Sequence, residues 1–543
     1  MEKLSCKDLS FRYNTNSADT LKNISFSVSG SGILLVVGKT GSGKSTLLRL
    51  MKREISPVGE LKGSINILGK AQSELSPMQS ACAVAYVSQN PDTQTVTHKV
   101  SSELSFALEN IGTKPSQILS RVGEMATYFG IEDIYSKPIE QLSGGEKQLC
   151  CLCAAAVLSP QILILDEPAA QLDPISSGKL FSVLRRLNSE LGTAIIIAEH
   201  DPSEIFDMCD SILALDDGKA VFFGDRDSFV RAAVNDPVLH GYLPAPTRAA
   251  LKLSKTVFTV KAAKTLLEDT FGVTDAQPSL SAGKPGTDAA LKAESVYYRY
   301  DRNSDDIISC LDLTVYSGEV FAAVGSNGSG KTTMLKILGG IIRPWQGKVS
   351  VSGRNVRSYK NSALYSGCVA VMPQDPYDLF ICQTVGEELD KSNKDNELFK
   401  RLCSELSLDP LLDKHPYDLS GGEVQKCALA KLLLTDPKIL LLDEPSKGLD
   451  PQAKAVLGRM LRKLASEGRA VCIATHDIEF AAEYADRCGL FFNGCIHSAA
   501  PCREFFSYNR FYTTAASRIA RSVFPDAVTV SELEKCISGG ERR

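Results

Sequence analysis

Short, wholly apolar runs alternate with longer amphipathic stretches along this chain. Ile33–Val37, Ile162–Leu165 and Ala194–Ile197 are of strand length and have no polar face, the pattern of strands covered on both sides of a parallel sheet. The segments between them are long enough for helices, as βα units require. From Ser102 to Asn110 and from Ser116 to Phe129 the strand signal gives way to a period near 3.6 residues, which predicts helices inserted into the sheet domain. The fold class is therefore α/β. No run approaches the roughly 18 apolar residues of a membrane-spanning helix, so no crossing is expected.

The pattern occurs twice. GKTGSGKST from Gly38 returns as GSNGSGKTT from Gly325, an offset of 287 residues that also relates Tyr13 to Tyr300. LSGGE recurs with Ser143 and Ser420, and LDEP with Asp166 and Asp443, both at an offset of 277 residues. A second copy shorter by about ten residues before LSGGE is a loss that loops or helix ends absorb. Each copy is followed by a similar short segment containing a Thr-Val pair, Thr259-Val260 and Thr529-Val530. The predicted organisation is a first domain at 1–235, a helical appendage at 236–276, a Pro- and Gly-containing linker at 277–289, a second domain at 290–505 and a C-terminal helical appendage at 506–543.

Size and charge narrow the function. A chain of 543 residues with 43% hydrophobic and 23% charged residues is a globular protein of at least two cores. Lys+Arg 60 against Asp+Glu 64 gives a net charge of -4, which supplies no broad basic footprint for nucleic acid. The start, MEKLSCKDLSFRY, lacks a secretory pattern, so a cytoplasmic location with 16 reduced cysteines is expected. Cys150, Cys151 and Cys153 have apolar neighbours and no second pair at ligand spacing, and read as a packed helix face.

The chemistry sits at the ends of the apolar runs. Gly38, Gly41, Gly43, Lys44, Ser45 and Thr46, and in the second copy Gly325, Gly328, Gly330, Lys331, Thr332 and Thr333, form glycine-rich loops between a strand and a helix. Backbone N–H groups of such a loop curl around phosphates, and the helix dipole favours the negative charge. Lys44 and Lys331 would reach the β- and γ-phosphates of ATP, and Ser45 and Thr332 would ligate Mg²⁺. Asp166-Glu167 and Asp443-Glu444 end buried runs. The aspartates suit Mg²⁺, and the glutamates suit a general base for the attacking water.

Leu142-Ser-Gly-Gly-Glu-Lys-Gln and Leu419-Ser-Gly-Gly-Glu-Val-Gln resemble the signature of the ABC ATPases, a resemblance that covers nearly the whole chain. It implies two phosphate-loop NTPase domains, each a mostly parallel sheet with an antiparallel β portion and a helical subdomain. It assigns Gln89 and Gln374 to the Q-loop that touches Mg²⁺ and water, Asp173 and Asp450 to the D-loop, His200 and His476 to the γ-phosphate, and Tyr13 and Tyr300 to adenine. It also implies head-to-tail pairing of the two domains. One ATP would then be shared between one half's phosphate loop and Ser420, Gly421 and Gly422, the other between its counterpart and Ser143, Gly144 and Gly145.

Asn90-Pro-Asp-Thr-Gln94-Thr-Val is similar to the segment with which energy-coupling factor ATPases contact their membrane subunit, and Phe511-Tyr-Thr-Thr-Ala-Ala-Ser-Arg is similar to the tail of fused members of that group. Gln374-Asp-Pro-Tyr-Asp-Leu-Phe-Ile-Cys-Gln383 is a looser match. The resemblance implies a motor on the inner face of the cell membrane, with a transmembrane scaffold subunit and a separate substrate-binding membrane protein, importing vitamins or transition-metal ions. Two alternatives are an ATPase of a conventional importer and a soluble twin ATPase acting on ribosomes. The acidic charge and the absence of a cysteine cluster near the start count against the ribosomal reading.

Overall fold

The computed structural model describes residues 2–14, 18–274, 277–278, 288–392 and 395–540. Most of the expected linker at 277–289 lies outside the described residues. The chain divides into two compact units, Met1–Pro244 and Ala245–Arg543.

Among the described residues of the first unit the strands are, in chain order, β1 (Glu2–Tyr13), β2 (Leu21–Ser29), β3 (Ile33–Gly38), β4 (Gly59–Ile67), β5 (Lys70–Ala71), β6 (Val84–Val87), β7 (Ile162–Asp166), β8 (Ala194–Ala198), β9 (Ser211–Asp216) and β10 (Lys219–Asp225). They form a six-stranded sheet ordered β10-β9-β3-β8-β7-β6 and a four-stranded sheet ordered β2-β1-β4-β5. In the larger sheet every pairing is parallel except β9 with the edge strand β10. The smaller sheet is antiparallel. The apolar runs read from sequence are β3, β7 and β8, buried along their whole length.

The second unit repeats the plan. Its strands are β11 (Ala289–Tyr298), β12 (Ile308–Tyr316), β13 (Val320–Val324), β14 (Gln346–Val351), β15 (Arg354–Asn355), β16 (Val369–Met372), β17 (Ile439–Asp443), β18 (Ala470–Thr475), β19 (Arg487–Phe492) and β20 (Cys495–Pro501). The sheet orders β16-β17-β18-β13-β19-β20 and β12-β11-β14-β15 match those of the first unit position for position.

The helical insertion holds Val100–Asn110 and Pro115–Phe129 in the first unit, and Val385–Ser392 and Asn396–Leu406 in the second. Both helices of the second copy are shorter, which accounts for most of the sequence loss. In each unit the insertion packs on the helix that begins with the signature, Gly144–Ala156 or Gly421–Leu433.

The helices of the two appendages pack together. Helices Ala245–Leu251 and Val260–Phe271 lie in the second unit and pack against Ala515–Ala520 and Val530–Gly539. Ala249, Leu267, Ile519 and Leu533 share one buried core, and Arg248 Nε stands 2.9 Å from Glu534 Oε1. Helices of 6 to 12 residues are too short to be stable alone. Joining the two amphipathic pairs buries faces that neither pair could cover.

Candidate functional site

The phosphate loops and the Asp-Glu pairs lie at the carboxyl ends of β3, β7, β13 and β17, where open α/β sheets bind ligands. The phosphate loop leaves β3 and turns into Lys44–Leu50; its counterpart leaves β13 and turns into Lys331–Leu338. Gly43 and Gly330 enter these helices at φ 98° and 106°. A Cβ on Gly43 would fall 2.6 Å from the Leu21 side chain, so close packing and the left-handed backbone together require glycine there. Each lysine folds over its own loop. Lys44 Nζ donates to the carbonyls of Gly38 (2.9 Å) and Lys39 (3.1 Å), and Lys331 Nζ to those of Gly325 and Ser326 (both 2.9 Å). The cation thus sits against the loop that would wrap a phosphate.

Tyr13 and Tyr300 end up at equivalent places. The Tyr13 hydroxyl lies 3.0 Å from Thr46 Oγ1, and that of Tyr300 lies 3.1 Å from Thr333 Oγ1. Each ring is also edge-on to a neighbouring aromatic, Phe11 or Tyr298. The phosphate-loop helix and the aromatic are held together before any base stacks on them.

Asp166 and Glu167 follow β7, and Asp443 and Glu444 follow β17. Glu167 and Glu444 adopt φ 47° and 49°, a strained backbone for a side-chain-bearing residue that costs about 1 kcal/mol or more and is met at functional sites. Both are fixed by the next strand, the Glu167 amide donating to Ala198 O (3.0 Å) and the Glu444 amide to Ala474 O (2.8 Å).

The buried Glu167 carboxylate has three partners. Oε1 lies 2.7 Å from His200 Nε2 and 3.7 Å from Lys44 Nζ, and Gln89 Nε2 donates to Oε2 at 2.7 Å. Burial opposes its charge, but His200 and Lys44 outweigh it and hold the carboxyl below its ordinary value. Glu444 behaves alike: burial opposes ionisation, and His476 and Lys331 overcome it. Its Oε1 is 3.6 Å from Lys331 Nζ, and its Oε2 is 2.9 Å from His476 Nδ1. Both glutamates are therefore ionised, as a base for water must be.

The aspartates differ between halves. Asp166 accepts from Ser45 Oγ and Tyr86 Oη, both at 2.9 Å. Burial, then the charge of Glu167, pushes its carboxyl up. Asp443 has the Thr332 hydroxyl beside it, but its Oδ1 is buried without a hydrogen-bond partner. Burial is the main reason its carboxyl is pushed up to about 6. An orphaned buried carboxylate oxygen next to a threonine hydroxyl is a costly arrangement that a divalent cation removes. The residues therefore fit Mg²⁺, held by Asp443 with Thr332 and by Asp166 with Ser45; when bound it would offset phosphate charge.

Other residues take supporting places. Asp173 and Asp450 cap the helices Pro174–Leu191 and Pro451–Ser466. Ser143 and Ser420 begin the signature helices, each paired with the glutamate three residues on: Ser143 Oγ lies 2.7 Å from Glu146 and Ser420 Oγ 2.6 Å from Glu423. Gly144, Gly145, Gly421 and Gly422 form the first turns, whose free N–H groups suit an anion. Gln374 is not brought to Glu444 by any hydrogen bond among the described residues, unlike Gln89 and Glu167.

Gln94 faces inward. Its Oε1 accepts from the Ser88 amide (2.8 Å) and its Nε2 donates to Tyr86 O (3.1 Å), so it staples the loop that carries Gln89. The exposed tip is apolar: Val96 is 65% and Ile381, its counterpart, 88% exposed. Buried glutamates hold both tips, Glu103 accepting from the amides of Val96 and Thr97, and Glu388 from those of Ile381 and Cys382.

Three residues near the carboxylates escaped the motif reading: Tyr86, Glu199 and Thr475. Glu199 is buried and accepts from the Ala169 amide at 3.0 Å; Thr475 ends β18. The signal was available as a difference between copies, since Val371 stands where the first half has Tyr86, and Thr475 where it has Glu199.

Fold and site together define a doubled phosphate-loop ATPase. The sequence profile of the ABC transporter family matches residues 21–170 and 308–447, and the chain belongs to that family. It is 35% identical over 540 residues to an ABC transporter ATP-binding protein of Bacillus anthracis, covering 98% of each. Among solved structures, cbiO1 from Clostridium perfringens, part of the ABC transporter complex cbiONQ, is 27% identical and aligns with 44% of this chain and 98% of its own at a TM-score of 0.39. The archaeal ribosome recycling factor aABCE1, solved with the ribosomal stalk protein aP1, is 23% identical over 92% of this chain and 91% of its own at a TM-score of 0.60; at that identity the likeness is one of fold. The chain is an ATP-binding protein of the ABC transporter family, an ATPase. Among the described residues no helix is long and apolar enough to cross a membrane.

Proposed function

We propose that this chain is the ATP-hydrolysing motor of an energy-coupling-factor-type importer, acting on a transmembrane scaffold subunit and a separate substrate-binding membrane protein that takes a vitamin or a transition-metal ion. The observation that carries the reading is the pair of clamped loop tips. Each half joins its Q-loop to an exposed apolar residue, Val96 or Ile381, fixed by a buried glutamate. Such a tip suits an apolar surface of a membrane subunit, and its neighbour Gln89 touches the Glu167 carboxylate. In this reading the chain lies on the inner face of the membrane.

Glu167 and Glu444 take the proton of the attacking water, and His200 and His476 hold those carboxylates in place. Lys44 and Lys331 neutralise the β- and γ-phosphates.

The test is purification of the tagged chain from solubilised membranes of its own cells, followed by identification of hydrophobic partners and ATP-driven uptake by the reconstituted complex. Recovery with a multi-span scaffold and a small substrate-binding membrane protein is expected. Sedimentation with ribosomes and no membrane partner would overturn the reading.

A further inference from the structure

The two glutamates are held by different means. Thr475 is the last residue of β18 and is fully buried. Its hydroxyl accepts from the Asp477 amide at 3.0 Å and lies 3.1 Å from Glu444 Oε2. An amide can only donate and a carboxylate only accept, so the hydroxyl proton is directed at Glu444. The His476 amide reaches the same Oε2 at 3.2 Å. With the His476 imidazole Nδ1 at 2.9 Å, three groups at the end of a core strand meet this oxygen, and among the described residues no hydrogen bond brings Gln374 to it.

In the first half the position of Thr475 is occupied by Glu199. Its Oε1 turns to the Ala169 amide, 3.0 Å away, and among the described residues no hydrogen bond joins Glu199 to Glu167. The corresponding oxygen of Glu167, Oε2, is held instead by Gln89 Nε2 at 2.7 Å. Gln89 belongs to the loop after β6 that Gln94 staples and that runs on to the exposed Val96 tip. A push on that tip moves the amide that orients Glu167. Among the described residues, no hydrogen bond joins the loop that carries Gln374 and Ile381 to Glu444.

We propose that Thr475 is the positioning residue of Glu444, and that Glu199 in its place leaves the orientation of Glu167 dependent on the Gln89 loop, so that only the Glu167 site is gated by that loop. This inference rests on both glutamates being the bases.

The test uses steady-state ATPase kinetics of the full chain. Thr475→Val should lower kcat, by half if the two sites turn over independently and by about tenfold if each waits for the other, with KM for ATP little changed and Thr475→Ser restoring the rate. Gln89→Ala should lower kcat, and adding Glu199→Thr, which supplies the missing hydroxyl, should recover most of the loss. Full kcat in Thr475→Val, a Thr475→Ser variant as slow as Thr475→Val, or a Gln89→Ala/Glu199→Thr variant no faster than Gln89→Ala would each overturn the proposal. Turnover persisting in Glu167→Gln/Glu444→Gln would instead refute the assignment of the bases.

Discussion

Gln89 Nε2 meets Glu167 Oε2 at 2.7 Å, which ties a loop with an exposed apolar tip to a buried carboxylate at the end of the neighbouring strand. A side chain that reports on the surface and one poised over a phosphate loop are thereby a single hydrogen-bonded unit. The consequences can be tested residue by residue.

Gln94 should act on the fold of that loop. Its amide bridges Ser88 N and Tyr86 O, and alanine would leave both partly buried backbone groups unpaired. Gln94→Ala is expected to cost about 1–2 kcal/mol in denaturant unfolding of the first unit and to lower ATP turnover by loosening Gln89. Unchanged stability with normal turnover would show that the bridge has no structural weight.

Asp443 should make the nucleotide-free protein sensitive to pH. Burial raises its carboxyl from 3.8 to about 6, so the folded state binds this proton more tightly than the unfolded chain does. Its contribution to stability is therefore full below about pH 4 and is lost as pH rises through about 6. In a chelating buffer Asp443→Asn, uncharged throughout, should melt higher than the parent at neutral pH and lose that advantage toward about pH 4. Added Mg·ATP should stabilise the parent and not the variant. An advantage independent of pH would contradict the burial of an unpaired charge.

Glu388 should hold the Ile381 tip down to low pH. Burial works against its charge, but Lys431, 2.6 Å away, and the amides of Ile381 and Cys382 bring the carboxyl down to about 2. A depressed carboxylate contributes stability that is present above its ordinary value of 4.5 and lost as pH falls toward about 2. Amide exchange at Ile381 and Cys382, corrected for intrinsic rate, should stay protected at about pH 5 and open in Glu388→Gln. Equal protection in the variant would remove the charge from the explanation.

Much of this was legible in the sequence because each motif is local. Lys44 follows its glycines, and Glu167 follows a run of apolar residues, so a few consecutive residues decide the loop, the strand and the chemistry. Thr475 and Glu199 belong to no local motif: the difference between the copies marks the position, but a residue before a histidine acquires meaning only when β18 lies beside β17, or β8 beside β7. Gln94 was read as a membrane contact from its place in a segment, but the direction of its side chain depends on backbone groups of Tyr86 and Ser88 freed at the end of β6. The shared core of Ala249, Leu267, Ile519 and Leu533 joins segments more than two hundred residues apart, beyond the reach of periodicity within either.

The most direct measurement of the central claim is phosphate release alongside ATP binding in Glu167→Gln, Glu444→Gln and the double variant. Loss of a general base predicts that the double variant turns over about a hundredfold more slowly or less, while it binds ATP as well as the parent, with each single variant impaired. A double variant that hydrolyses ATP at the parental rate would contradict the account.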